Sequence, residues 1–179
     1  TPDCKTIPLD DGDWEIYHDP VTAACMTGCQ TPFNNAASGE HAIAEGYATI
    51  ASGLDSHAEG QTTQALGTAA HAEGYETIAS GGPSHAEGRG TQATAGSAHA
   101  EGRDTIASGA AAHSEGIGTT ASGIYSHSEG SGSIASGQFS HAEGHDTTAS
   151  GSGSHAEGED TLASGLDSHA QNRETEALA

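Results

Sequence analysis

Histidine and glutamate recur at a fixed spacing through most of the chain, and these residue types carry its clearest chemical potential. Histidine occupies every fourteenth position from residue 57 to residue 169, and glutamate follows two residues later from residue 59 to residue 157. The pair His-x-Glu supplies a metal ligand and a proton carrier in zinc deaminases, but those enzymes also need a Pro-Cys-x-x-Cys sequence that this chain lacks. Because a catalytic motif does not recur in this way, the pattern indicates structural repetition, and we expect no enzymatic activity.

A fourteen-residue step predicts that these side chains form a ladder on one face of stacked strands, about 4.8 Å from one repeat to the next. Imidazole and carboxylate are both ligands of divalent cations, so the ladder could bind metal. A hydrogen-bonded network between His and Glu would satisfy the same groups without an ion, and we favour that network and expect no cofactor. The ladder comprises His57, Glu59, His71, Glu73, His85, Glu87, His99, Glu101, His113, Glu115, His127, Glu129, His141, Glu143, His155 and Glu157.

Each repeat divides into two seven-residue halves, Ser-His-Ala-Glu-Gly-x-x and Thr-x-Ala-Ser-Gly-x-x. Five residues followed by two indicate a strand and a turn, with glycine at the strand end supplying the positive φ of the turn. Because side chains alternate along a strand, Ser or Thr, Ala and Gly share the inner face. The sequence therefore predicts an all-β fold, a parallel β-roll solenoid of about ten 14-residue rungs. The threonine column should point inward and bond neighbouring rungs, which excludes an ice-binding array.

Other repetitive folds do not fit this spacing. Glycine every seven residues would destabilise a helix by about 1 kcal/mol at each occurrence, and no apolar stripe of helical period is present. Collagen requires glycine at every third position, and calcium-binding nonapeptide rolls have a period of nine.

Composition excludes further classes. The chain has 25 acidic residues against 4 Lys and Arg, and its formal net charge is −21. Nucleic acid is therefore not an expected partner, because phosphate backbones are bound by clustered basic residues. No stretch approaches the roughly 20 apolar residues of a membrane-spanning helix. Hydrophobic residues make up 33% and aromatic residues 4% of the chain, too few for an ordinary globular core.

Residues 1–32 differ from the repeats, which we place at residues 33–179, and form a predicted N-terminal cap or connector. Three cysteines lie in this segment, which suggests one intramolecular disulfide and one thiol free for an intermolecular bond. A zinc site from Cys25, Cys29 and His18 is a weaker alternative, because the usual Cys-x-x-Cys spacing is missing. An acidic cluster is a weak metal candidate that we interpret as a solvated turn, since it lacks calcium-loop spacing. The cysteines are Cys4, Cys25 and Cys29, and the acidic residues are Asp10, Asp11, Asp13 and Glu15.

The doubled half-repeat Ser-x-Ala-x-Gly-x-x resembles the head repeat of trimeric autotransporter adhesins, the YadA-like or haemagglutinin-type head, over about residues 33–179. The resemblance implies a left-handed roll, a homotrimer around a threefold axis, and display at a bacterial surface for adhesion. One departure is that His and Glu occupy slots where family heads carry aliphatic pairs, as in Ser-Val-Ala-Ile-Gly. We predict that the His–Glu ladder faces the trimer axis, because its slots barely change between rungs.

The function that the resemblance implies is non-catalytic: an extracellular head that displays a rigid acidic rod and attaches to a surface receptor or matrix protein. Turn residues such as Arg103, Asp104 and Tyr125 are candidate contacts. The alternatives are a self-assembling extracellular fibre subunit, joined end to end through its N-terminal segment and cysteines, and a phage tail-fibre segment. The expected location is accordingly the bacterial cell surface, a secreted fibre or a virion appendage.

Overall fold

The described part of the chain is residues 17–18, 25–26 and 35–178 of a computed structural model, and it contains strands and turns but no helix. From residue 35 onward the chain winds into a β-solenoid of about ten turns. Each turn has 14 residues, one long strand and one short strand, and is called a rung below. The predicted all-β fold and its repeat length are therefore confirmed. No helix in the described residues has the length and apolar character needed to cross a membrane.

The long strands begin at the histidine position and end one residue after the glycine. These strands are β4 (Ile43–Tyr47), β6 (His57–Gln61), β8 (His71–Tyr75), β10 (His85–Arg89), β12 (His99–Arg103), β14 (His113–Ile117), β16 (His127–Ser131), β18 (His141–His145) and β20 (His155–Glu159), followed by the shorter β22 (His169–Ala170).

The short strands cover only the second and third residues of the other half-repeat. They are β3 (Ala36–Ala37), β5 (Ile50–Ala51), β7 (Gln64–Ala65), β9 (Ile78–Ala79), β11 (Gln92–Ala93), β13 (Ile106–Ala107), β15 (Thr120–Ala121), β17 (Ile134–Ala135), β19 (Thr148–Ala149), β21 (Leu162–Ala163) and β23 (Glu176–Ala177).

Two sheets run along the solenoid. The long strands form a 12-stranded sheet that also includes β1 (Tyr17–His18) and β2 (Cys25–Met26), and the short strands form an 11-stranded sheet. Strands of successive rungs pair in parallel and in register, so His85 lies beside His99. At the N-terminal end, β1 and β2 pair antiparallel, and Cys25 of β2 pairs in parallel with Ile43 of β4. The described N-terminal residues thus extend the sheet of long strands.

The interior between the sheets consists of small residues. Ala58 and Ala65 are fully buried, as are Thr63 and the equivalent residues of most rungs. His57 and Glu59 of the same strand are only partly buried on the opposite face. The predicted alternation of the Ala and Ser or Thr columns with His and Glu is therefore confirmed.

Glycine has two structural roles where the sequence predicted one. Gly60 is the fifth residue of its half-repeat, has φ +111° and is exposed, not on the inner face. Gly67 is the fifth residue of the other half-repeat and has no positive φ. A Cβ atom at Gly67 would overlap the carbonyl oxygen of Gly81 in the next rung, just as a Cβ atom at Gly60 would overlap that of Gly74. The left-handed turn residue is instead the one that precedes Ser or Thr, as at Asp55 (φ 55°) and Thr62 (φ 59°). The prediction that glycine at each strand end supplies a positive φ therefore holds at the ends of the long strands, as at Gly60, and is wrong at the ends of the short strands, as at Gly67.

The second half-repeat also forms a shorter strand than the predicted five residues. The N–H groups of Ser52 and Gly53 both donate to the carbonyl oxygen of Ala65, at 2.9 and 3.4 Å. Two successive donors on one acceptor interrupt the regular ladder, as in a bulge. The strand therefore ends at the alanine.

The threonine hydroxyls point inward, but most do not bond a neighbouring rung as predicted. Thr147 Oγ1 donates to Ser133 Oγ one rung away at 2.9 Å, whereas Thr105 Oγ1 donates at 3.1 Å to the Glu101 carbonyl of its own rung. A further set is buried without any hydrogen-bond partner. This set is Thr49, Thr63, Thr77, Thr91 and Thr161.

The predictions for the N-terminal segment lie largely outside the described residues. Cys4, Cys29 and the acidic candidates Asp10, Asp11, Asp13 and Glu15 fall outside them, and only the backbone of Cys25 is described. The disulfide, the zinc alternative and the boundary at residue 32 therefore stay predictions.

Candidate functional site

The parallel in-register pairing of the long strands brings all of the predicted His and Glu residues onto one face. The imidazole rings stack from His57 to His169, with centroids 4.7 to 4.9 Å apart and planes within 5° of parallel. The predicted spacing of about 4.8 Å is confirmed. Glu45 extends the carboxylate column by one rung, where Ile43 stands in the histidine position.

The predicted hydrogen-bonded His–Glu network is not formed in this chain. The distance from Nε2 of His85 to Oε2 of Glu87 is 3.6 Å, and that from His99 to Glu101 is 3.7 Å, both beyond a hydrogen bond. The two residues are two positions apart on one strand, and their side chains extend side by side without converging. From His57 to His155, the Nε2 atoms are enclosed and have no hydrogen-bond partner.

The carboxylates change their histidine partner along the solenoid. Glu73 lies 3.7 Å from His71 of its own rung, whereas Glu129 lies 3.8 Å from His141 of the next rung. Glu143 spans both arrangements, with one oxygen 3.8 Å from His141 and the other 3.8 Å from His155. A carboxylate of the ladder can therefore reach histidines on either side.

Burial sets the protonation of the imidazoles. Desolvation lowers the pKa of His85, His113, His127 and His141, and neighbouring rings in the stack lower it further. Protonating one ring would place a positive charge about 4.8 Å from the next ring. These histidines are therefore neutral near pH 7 and carry one free nitrogen lone pair each.

Crowding of carboxylates produces an alternating pattern of proton affinity. A hydrogen bond with the Glu115 carboxylate raises the pKa of Glu101 to about 7, with burial and the charges of Glu115 and Glu87 adding to it. Hydrogen bonds with Glu115 and Glu143 likewise raise the pKa of Glu129 to about 7. The same bonds lower the pKa of Glu115 and Glu143. Glu101 and Glu129 thus bind a proton more readily than Glu115 and Glu143 do.

A groove of about 470 Å³ runs along the middle of this carboxylate column. Glu87, Glu101, Glu115 and Glu129 line it, together with the glycines that follow the last three. Clusters of three residues that could hold a metal ion lie on the same face, among them His141, Glu143 and His155. The chemistry available here is cation binding.

A pair of aromatic residues in the turns is a second candidate feature, and only one of the two, Tyr125, was named from the sequence. Tyr125 and Phe139 occupy the same turn position in successive rungs and stack with ring centroids 5.4 Å apart. Both are about 60% exposed and both have a left-handed backbone, with φ of 57° and 59°. Phe139 was missed, although the spacing of 14 from Tyr125 was visible in the sequence. Arg103 and Asp104, also named there, form an ion pair at 3.8 Å.

Comparison with known proteins gives one family. The family model described as the YadA head domain repeat matches residues 37–60, 58–82, 114–140, 128–154 and 142–168. These segments together cover more than half of the chain. The unmatched residues between 82 and 114 keep the same parallel register through β10 and β12. No curated protein matches the chain.

Proposed function

The chain belongs to the family of YadA head domain repeats, and on that premise we propose that it is the head of a trimeric adhesin, displayed outside the cell. The proposal rests on one observation, that the surface residues vary between rungs in the turns and not on the His–Glu face. The His–Glu face is nearly constant from rung to rung, whereas turn positions range from glycine to tyrosine. A uniform solenoid with variable turns is suited to presenting contacts, and it requires no catalytic group.

The paired rings of Tyr125 and Phe139 are the proposed contact surface. At the same turn position other rungs use Asp55, Ala69 or Ser97, which are small or polar. A bulky residue in the left-handed region costs about 1–3 kcal/mol, so two in succession indicate a role beyond folding. Aromatic residues also dominate the energetics of protein interfaces. Ile124 beside them is 47% exposed and widens the apolar surface.

The trimer is proposed to form through the His–Glu face. Copies of one chain meet around a threefold axis at identical residues, so a face that repeats without change fits self-association. Each rung would then place His and Glu from three chains together, and the unpartnered Nε2 atoms could receive partners from a neighbouring chain. The left-handed winding of the solenoid is likewise proposed from the family.

A fibre subunit is the second candidate function. The observation in its favour is that β2 pairs with β4 and so adds the N-terminal region to the end of the long-strand sheet. An end that accepts strands can join another copy, and the cysteines of residues 1–32 could lock such a joint.

A single adhesion assay separates the candidates. The purified chain is coated on a surface and tested for retention of host cells and matrix proteins, beside the double variant Tyr125→Ala, Phe139→Ala. The control is Leu166→Ala, which removes an even more exposed apolar turn residue. The adhesin proposal predicts retention that the double variant loses and the control keeps. No retention by the native chain, together with filaments in electron micrographs that dissolve in reductant, would instead establish the fibre.

A further inference from the structure

Two arginines, called the arginine pair below, lie side by side at the turn that follows the long strands. Arg89 ends β10 and Arg103 ends β12, and the two residues pair in register. The same two strands hold the rings of His85 and His99 4.9 Å apart. Apart from histidine, the described residues contain only one other basic side chain, Arg173. A chain with a formal net charge of −21 therefore places two of its few positive charges together.

The fold does not account for the arginine pair. Like charges on directly opposed residues of neighbouring strands destabilise a sheet. In other rungs, the position of Arg89 holds Gln61, Ile117 or Ser131, so this turn can form without arginine. The positive charges at this place therefore point to a ligand and not to a requirement of folding.

Arg89 also differs from the other arginines in its partners. Arg173 occupies the equivalent position near the end of the solenoid, and it lies 3.6 Å from Glu159 and 3.4 Å from Glu174. Arg103 forms an ion pair with the aspartate that follows it. Among the described residues, Arg89 forms no ion pair with a carboxylate. Its charge is therefore free to meet an anion from outside the chain.

Neighbouring side chains hold both guanidinium groups in place. The guanidinium carbon of Arg89 lies over the ring of Tyr75 in the preceding rung, 5.7 Å from the ring centroid, in a cation–π contact. Arg103 is held through Nε, which lies 3.8 Å from the Asp104 carboxylate. The N–H donors of arginine lie in the guanidinium plane, so stacking on a ring leaves them available. A ligand that binds both groups thus loses less side-chain entropy than one that must order them.

The spacing of the arginine pair suits one acidic group. Hydrogen bonds between charged N–H donors and oxyanions are about 2.7–2.9 Å long, so an oxyanion can bond donors on two strands about 4.8 Å apart. A long polyanion does not suit this edge. Glu87 and Glu101 precede the arginines by two residues on the same strands, and the carboxylate column continues through Glu115 and Glu129. Repulsion by this column restricts the ligand to a single acid.

The residues beside the arginine pair supply contacts that are not ionic. Tyr75 is 37% exposed, and Gln61 pairs with it in register on the side away from Arg89. Tyrosine offers an apolar ring and a hydroxyl, and a glutamine amide both donates and accepts hydrogen bonds. An acid attached to a small ring with several hydroxyl groups would use all of these contacts.

We propose that this edge binds a single acidic sugar, with its carboxylate or sulfate at Arg89 and Arg103 and its hydroxyl groups at Tyr75 and Gln61. The choice of a sugar rests on the proposed function, because an extracellular head meets glycans at cell surfaces. The anion site itself rests only on the arginine pair. It is separate from the aromatic contact surface around Tyr125, which lies in the other turn of the rung.

A ligand-observed NMR titration of the full chain tests the proposal. The probes are sialyllactose, which has a carboxylate, sulfated lactose, which has a sulfate, and neutral lactose. We expect an acidic probe to bind at least about tenfold more tightly than lactose, because lactose cannot form the charge-assisted hydrogen bonds. The comparison of the two acidic probes identifies the acid group that the site prefers.

Variants of the arginines locate the binding site. Arg89→Gln should weaken binding of the acidic probe at least about tenfold, and it should fold, because glutamine already occupies the equivalent position 61. Arg173→Gln is the matched control. It removes the same charge from the equivalent turn position, where the arginine is paired with Glu159 and Glu174, and it should leave the affinity unchanged.

Variants of Tyr75 test its positioning of Arg89. Tyr75→Leu removes the ring beneath the guanidinium and should weaken binding about twofold to fivefold. Tyr75→Phe keeps the ring and should retain more of the affinity than Tyr75→Leu does. Equal losses in these two variants would overturn the positioning role.

The proposal is overturned if lactose binds as tightly as the acidic probes, or if Arg89→Gln and Arg173→Gln lose affinity equally. Tighter binding of inorganic phosphate than of either acidic probe would overturn the choice of a sugar. A chain that retains cells but binds no acidic probe would overturn this proposal and leave the adhesin proposal intact. A chain that binds the acidic probe but retains no cells would support the site and contradict adhesion.

Discussion

A Cβ atom added to Gly67 would overlap the carbonyl oxygen of Gly81, its equivalent in the next rung. The same close approach recurs along the column, where each glycine faces the carbonyl of the following rung. Position 95 of this column holds alanine in place of glycine. The N–H groups of Gly81 and Gly109 each donate to the carbonyl of an alanine in the next rung, and the Ala95 N–H is missing from this series of bonds. Rung stacking thus depends on glycine for space and not for φ at these positions.

The variant Gly67→Ala should lose at least about 2 kcal/mol of unfolding free energy, because the backbone of the next rung must shift. Urea denaturation followed by circular dichroism measures the loss. The control is Gly118→Ala, where a Cβ atom meets nothing within 4 Å and where Ala48 and Ala69 already adopt a similar φ in equivalent turns. It should cost at most about 1 kcal/mol. Equal losses in the two variants would contradict the close-approach explanation.

Two buried threonines should respond oppositely to replacement by valine. Thr63 Oγ1 has no partner, so Thr63→Val should stabilise the chain by about 1 kcal/mol by removing an unsatisfied hydroxyl. Thr147 Oγ1 donates to Ser133 Oγ, so Thr147→Val should destabilise it by a similar amount. Both sites are fully buried, and each variant therefore serves as the control for the other. Thermal denaturation that shifts in the same direction for both would refute this account of the interior.

The stability of the chain should depend on the ionisation of Glu101. Its pKa is raised to about 7 from an ordinary value of 4.5, so the folded state binds more protons than the unfolded state between these values. That contribution to stability is complete below pH 4.5 and is lost as the pH rises through 7. Glu101→Gln cannot ionise, and it should therefore gain stability relative to the native chain between pH 5 and pH 8.

Urea denaturation in the presence of a chelator measures this difference, with Glu76→Gln in a turn outside the ladder as the control.

The ladder histidines change the stability with pH in the opposite direction. Burial lowers the pKa of His85 and His141, so their contribution is present above pH 6.5 and is lost below it. Because Glu101→Gln and the native chain both contain these histidines, the histidine contribution cancels in the difference between them. A constant difference between Glu101→Gln and the native chain would show that carboxylate crowding does not matter.

Trimer orientation is tested by two substitutions on opposite sheets. Glu101→Ala should weaken the trimer strongly if the ladder faces the axis, because buried imidazoles from three chains lose their partner. Ile106→Ser lies on the short-strand sheet and should be tolerated. Sedimentation velocity over a concentration series gives the association state of each. A trimer that survives Glu101→Ala and dissociates with Ile106→Ser would place the short strands at the axis.

The regular parts of this fold could be predicted from the sequence because they depend on side-chain alternation. Ala58 and Thr63 were placed inside, and His57 and Glu59 outside, from a period of two within each half-repeat. Features that depend on backbone path could not be predicted in this way. Nothing in the sequence distinguishes the φ of Gly60 from that of Gly67, since both end a five-residue pattern.

The sequence predicted which residues share the face of the candidate site, but it did not predict correctly whether they form hydrogen bonds with one another. Periodicity brought His99 and Glu101 to one face, as the structure shows. Whether two side chains on one face form a hydrogen bond depends on rotamers and on tenths of an ångström, and the observed 3.7 Å separation decides against it.

The central claim is that this chain functions as a trimeric head, and sedimentation equilibrium at micromolar concentration tests it most directly. An interior of Ala, Ser and Thr buries little apolar area, so a single chain should not offset its conformational entropy without association. The account predicts a folded species with three times the 17.7 kDa mass of the chain. A folded, monodisperse species of 17.7 kDa would contradict it.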